Sequence, residues 1–197
     1  MRVWLAVLIG LVAVIVVSAA VGGRDDSGEA VRPSSWADST CQTIGAWEGA
    51  LEGIGDDLRS TNSAARQNDG GSGDHVEMTV YVRESVDRAV QVTNETLQEG
   101  LERAGYPDVA QGQQAALILQ NWAQQTENAL IVVSERLEDD PATPSTALAG
   151  LADAASALRA SAVGGRAAFA QVAALDPELA DAFEGSSDCR ELQDEQP

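Results

Sequence analysis

The stretch VAQGQQAALILQNWAQQTENALIVVSERL, Val109 to Leu137, decides the fold class. Val109, Gly112, Ala116, Leu119, Ala123, Thr126, Leu130, Val133 and Leu137 alternate steps of three and four residues without a break. That is the period of one apolar stripe on an α-helix, and it predicts a helix from about Pro107 to Leu137. A 3–4 spacing kept over this length predicts left-handed packing at roughly +20°, the geometry of four-helix bundles.

The same period recurs three times. From about Pro144 to Leu175 it runs through Leu148, Leu151, Ala155, Leu158, Ala162, Gly165, Phe169 and Val172, with Pro144 suited to the first helical position. From about His75 to Ala104 it runs through Val82, Val86, Ala89, Thr93, Leu97, Leu101 and Ala104. Glu84–Arg88 and Glu99–Arg103 are acid-before-base pairs on that segment, and Gly105-Tyr106-Pro107 stops it. From about Trp36 to Gln67 the stripe is Cys41, Ile44, Trp47, Leu51, Ile54 and Leu58, opened by a capping-box-like Ser35 and Asp38. The Gly-rich run 68–74 and the run 138–143 read as turns. A short fifth helix is expected with Asp176 as N-cap, Pro177 at its first position, and Leu179 and Phe183 inward; the chain beyond Gly185 reads as a polar tail. The expected fold is all-α: an up-down-up-down four-helix bundle over 35–192, with a short C-terminal helix and a tail at 193–197.

An even number of antiparallel rods returns the chain to its starting end, so Cys41 and Cys189 become neighbours. Two cysteines in an exported chain are most simply one disulfide.

Export is read from the amino end. Val3 to Gly23 carries no charge over 21 residues, about the ~20 that span a bilayer as a helix. Arg2 precedes it and Arg24, Asp25 and Asp26 follow, which keeps the amino end inside and exports the remainder. The alternative is a signal peptide cleaved near Ala20, after the small residues Ser18 and Ala19. Residues 1–23 are therefore anchor or signal, and 24–34 read as a flexible stalk. Both readings place the domain outside the cytoplasm, anchored or secreted.

The 197 residues include 31 Asp or Glu, 12 Arg and no Lys, for a formal charge of −19. Such a balance excludes nucleic acid as a partner, because phosphate binding needs a basic patch. It also limits membrane contact to the apolar run. With 44% apolar residues the chain is too hydrophobic to be a disordered acidic tail. Catalytic material is sparse. His75 is the only His, which is too few for a zinc or di-iron site, and no Gly-x-Ser-x-Gly elbow occurs. The clusters Asp56-Asp57, Glu138-Asp139-Asp140 and Asp188 with Glu191 lack calcium-loop spacing and read as solvated faces. No catalytic residue, metal ligand or cofactor is assigned.

Two features point to contact surfaces instead. Gly45, Gly49 and Gly53 fall four apart on the first helix, and Ala152, Ser156, Ala160, Gly164 and Ala168 do so on the fourth. Glycine inside a helix costs up to ~1 kcal/mol relative to Ala, so the run implies close approach of another backbone, within the domain or from a partner. Val109 to Thr126 is uncharged and amide-rich around Trp122; Gln120, Trp122 and Gln124 form either a candidate ligand or partner face or the flanks of an enclosed helix.

The Cys41…Trp47 start, the absence of Lys and the ending Leu175-Asp-Pro-Glu-Leu-Ala-Asp-Ala-Phe183…Cys189-Arg190 resemble small exported helical proteins of high-GC actinobacteria. The resemblance implies compartment and fold and carries over no functional residue. The expected function is that of a non-enzymatic cell-envelope module acting on another envelope protein or on a second copy. The alternatives are a small-ligand-binding bundle and a carboxylate-based enzyme.

Overall fold

The computed structural model describes residues 29–67, 74–139 and 143–194. The apolar run Val3–Gly23, expected as anchor or signal, lies outside them. Among the described residues no helix is long and apolar enough to cross a membrane.

The domain is all-α apart from two paired dipeptides. Its elements are β1 (Ala30–Val31), α1 (Pro33–Gln67), α2 (Asp74–Val92), a π-helical turn (Thr93–Gln98), α3 (Glu99–Arg103), β2 (Tyr106–Pro107), α4 (Gly112–Asp139), α5 (Pro144–Leu175), α6 (Pro177–Gly185) and α7 (Ser187–Asp194). The second segment is one rod interrupted by the π turn. Its stripe explains the interruption: Ala89, Thr93, Leu97 and Leu101 are separated by three successive steps of four, and all are buried. In an α-helix each such step drifts by about 40°, so three would carry the stripe off its face. One wider turn absorbs the extra residue and keeps it in line.

Side-chain contacts give the relative directions. Trp47 reaches Thr93, Asp57 reaches Arg88 and Trp36 reaches Gly105, so α1 runs against the second rod. Asn94 reaches Glu127 and Ser134 bonds Asp87, so that rod runs against α4. Trp122 reaches Ser161 and Arg136 reaches Asp153, so α4 runs against α5. The α2 rod touches α1, α4 and α5 alike, while α6 and α7 pack on the first half of α1.

The core has two parts. A larger cluster around Trp36, Trp47, Leu97, Leu119, Trp122, Val172, Leu179 and Phe183 lies at the Cys41–Cys189 end, and Val82, Val86, Val133, Leu137 and Ala147 fill the other. The aromatic residues touch in tilted or edge-on pairs: Trp36–Phe183 at 5.6 Å, Phe169–Phe183 at 5.1 Å and Trp47–Trp122 at 6.0 Å between ring centres. Edge-on geometry suits the ring quadrupoles. Each of these tryptophans also donates its indole N–H across an interhelical gap: Trp36 to the Gly105 carbonyl, Trp47 to the Thr93 hydroxyl and Trp122 to the Ser161 carbonyl.

Four expectations need correction. The α1 helix begins at Pro33, not at a Ser35 cap, since the Trp36 amide already donates to the Arg32 carbonyl. Pro33 brings its own helical φ and has no amide to satisfy. Residues 30–34, expected as part of a stalk, belong to the domain: Ala30–Val31 pairs in parallel with Tyr106–Pro107, and Pro33 opens α1. Gly105 permits that approach: its φ is +70°, and a Cβ there would lie 2.4 Å from the Glu29 carbonyl oxygen. The chain after Gly185 is not merely a tail, for Ser187–Asp194 is helical and brings Cys189 to α1. Finally, the α5 stripe is displaced by one residue from Ala147 to Ser161 and regains the expected positions at Gly165. Ala147 is 2% exposed and Ser161 7%, whereas Leu148 is 68% exposed. Small residues face α4 because its large ones need the room: a Cβ on Gly150 would meet Leu137 at 2.4 Å, and one on Gly165 would meet Trp122 at 2.9 Å.

Candidate functional site

Cys41 and Cys189 form a disulfide, with Cα atoms 5.1 Å apart across a separation of 148 residues. Both are buried. α6 makes the junction possible. Asp176 accepts the Glu178 amide at 2.9 Å as N-cap, Pro177 occupies the first turn, and Leu179 and Phe183 enter the core. The Ser186 hydroxyl then accepts the Cys189 amide at the head of α7.

Where α7 lies along α1 an open cleft of about 360 Å³ remains. Its α1 wall is Cys41, Gln42, Gly45 and Ala46; its α7 wall is Asp188, Glu191 and Leu192. Its lining is mixed: both carboxylates stand on the α7 wall, facing Gln42 and small residues on α1. Leu192 approaches Gly45, where a Cβ would lie 3.6 Å away.

The glycine row divides at this point. Gly45 lines the cleft, but a Cβ on Gly49 or Gly53 would have nothing within 4 Å. Close approach inside the domain therefore accounts for neither of those two. The row on α5 turns from outside to inside along its length. Ala152, Ser156 and Ala160 are exposed, Gly164 lies under the Trp122 ring and Ala168 is buried. Close approach inside the fold falls instead at Gly100 against Thr43, at Gly150 and at Gly165.

Gln120, Trp122 and Gln124 do not share a face. Trp122 is buried between Gly165 and Trp47, with its N–H 2.9 Å from the Ser161 carbonyl oxygen. Gln124 is exposed and Gln120 half-buried. Two residues along a helix is about 200°, so the amides point away from the indole. The uncharged length of α4 is thus a buried apolar stripe backed by solvated amides.

His75 falls in the first turn of α2, and its side chain lies outside the described residues. Of the acidic groups, Asp56 pairs with Arg59 and Asp57 with Arg88. Arg103 pairs with Glu99 as expected, whereas Arg88 turns to Asp57 on α1 and not to Glu84. Among the described residues, no three His, Cys, Asp or Glu side chains gather closely enough to hold a metal ion. One buried polar group stands out near the disulfide: the Thr40 hydroxyl, wholly enclosed, has no hydrogen-bond partner among the described residues.

No protein-family model matches the chain, nor does any curated protein or solved structure.

Proposed function

We propose that this chain is an exported cell-envelope module that acts by binding another protein and not by catalysis. In this reading Val3–Gly23 is a membrane anchor or a signal cleaved near Ala20. Beyond it stands an up-down-up-down bundle of four rods, as in the exported actinobacterial-type proteins the sequence resembles. The antiparallel contacts between successive rods support that topology. The observation that carries the reading is the Cys41–Cys189 disulfide, which joins the beginning and end of the helical domain. Such bonds persist in oxidising compartments outside the cytoplasm and are rare within it. Placed behind an uncharged run of bilayer length, it supports export of everything after residue 24.

The test uses intact cells making the full chain, with photo-crosslinkers at exposed positions of α1 and α5. External protease should remove the domain, and crosslinking should recover a defined envelope protein or a second copy. A domain protected inside the cell overturns export. A purified chain that turns over a substrate and yields no crosslinked product overturns the binding role.

A further inference from the structure

The fold brings together two lengths of chain that carry no carboxylate. Val109 to Thr126 has no charged residue at all, and 154–175 has Arg159 and Arg166 but no Asp or Glu, in a chain with 31 acids. The contacts of Trp122 with Ser161 and Gly165, and of Thr126 with Ser161, lay these lengths side by side. Their outward side presents Leu117, Asn121 and Gln125 from α4 with Ala160, Val163 and Ala167 from α5, all exposed. Leu117 is 56% exposed and Val163 59%. At the edge stands Arg159, which has no ion-pair partner among the described residues, whereas Arg59, Arg88, Arg103 and Arg136 are all paired.

We propose that this carboxylate-free side of the α4–α5 pair is where two copies of the chain meet face to face. The inference rests on the contact reading above and names its surface and partner. Two bodies of charge −19 repel through any surface rich in carboxylates, and this side removes that obstacle. The centre of a protein interface is depleted of charge and the rim keeps it, which matches amides and alanines flanked by Arg159. The small side chains at Ala160 and Ala167 let a second helix approach closely. The helical part of the first length, 112–126, is about 22 Å long and the second, 154–175, about 33 Å; at about 10 Å per helix width they give a flat footprint of roughly 550 Å². Relief brings that towards the ~800 Å² per partner of a stable interface.

The experiment is light scattering on the full chain in non-ionic detergent micelles, with the detergent contribution subtracted. The expected protein mass is twice 20.5 kDa. Raising the salt should tighten the dimer, because screening weakens the repulsion between like-charged bodies. The double variant Ala160→Glu, Val163→Glu puts carboxylates on both copies and should return a monomer. Gln125→Glu, a milder change on the same side, should raise the dissociation constant several-fold. Val80→Glu, an exposed site on α2, should leave the dimer intact. Helical circular dichroism and the intact disulfide verify folding of each variant. A wild-type monomer at every concentration overturns the proposal, as does a dimer that survives both α4–α5 changes. Either result leaves protease access and crosslinking to a different envelope protein untouched, and on those the contact reading is judged.

Discussion

The Trp47 indole donates a hydrogen bond of 3.0 Å to the Thr93 hydroxyl, at the one place where the second rod leaves α-helical geometry. Both residues are buried, and Thr93 passes its own hydrogen to the Ala89 carbonyl at 2.8 Å. The wider turn and the indole thus support each other: one keeps Thr93 on the buried stripe and the other uses it there.

Thr93→Val keeps the shape and leaves the Trp47 N–H buried without a partner. It should destabilise the protein by about 1–3 kcal/mol, read as a lower denaturant midpoint. In a Trp47→Phe background the same change should cost clearly less, because the donor is already gone. Equal costs in the two backgrounds would remove the hydrogen bond from the account.

The same substitution should have the opposite sign one residue before the start of the disulfide loop. The Thr40 hydroxyl is buried and unpaired, so Thr40→Val removes an unmet polar group without opening a cavity. Stability should rise by up to about 1 kcal/mol. A fall in melting temperature would show that this hydroxyl has a partner after all.

Glycine-to-alanine changes should separate into two groups. At Gly49 and Gly53 a Cβ enters open space, and each change should stabilise by about 0.5–1 kcal/mol through helix propensity. At Gly100 and Gly165 it meets Thr43 at 2.5 Å and Trp122 at 2.9 Å, and overpacking should cost about 1–3 kcal/mol. Thermal melts of the four variants check this, and a common sign would contradict it.

These glycines also show what the sequence can and cannot reveal. The stripes of the second and third segments need no tertiary knowledge, because large apolar residues at regular steps leave one face to bury; every member from Val82 to Ala104 and from Gly112 to Leu137 is buried. The fourth segment is apolar nearly all round, so its period could not choose between Ala147 and Leu148, and the choice was made by Leu137 and Trp122 on α4. α7 has little apolar content of its own and is placed by the covalent bond at Cys189. The pairing of Ala30–Val31 with Tyr106–Pro107 joins residues too distant for any local signal. For the candidate faces, spacing put Gly45, Gly49 and Gly53 on one line but could not say that α7 covers only the first. Trp122 was singled out by its uncharged neighbours, although its ring is held by Ser161 and Gly165 across the helix.

Asp176→Ala should loosen one end of the molecule. Loss of the bond to the Glu178 amide removes the N-cap of α6, a change that costs about 1 kcal/mol. Hydrogen exchange should speed up in Pro177–Gly185 and Ser187–Asp194 while α4 keeps its protection. Uniform acceleration over the whole chain would show that α6 and α7 do not open as a separate unit.

The central claim, an exported helical domain closed on itself by sulfur, is tested most directly by mapping thiols in the full chain taken from intact cells. Free thiols are blocked before lysis, and the protein is then digested after arginine under non-reducing conditions. The account predicts no blocked cysteine and one linked pair of fragments containing Cys41 and Cys189, released together by reduction. Recovery of both cysteines in blocked form, or of either one bonded to a different molecule, would contradict it.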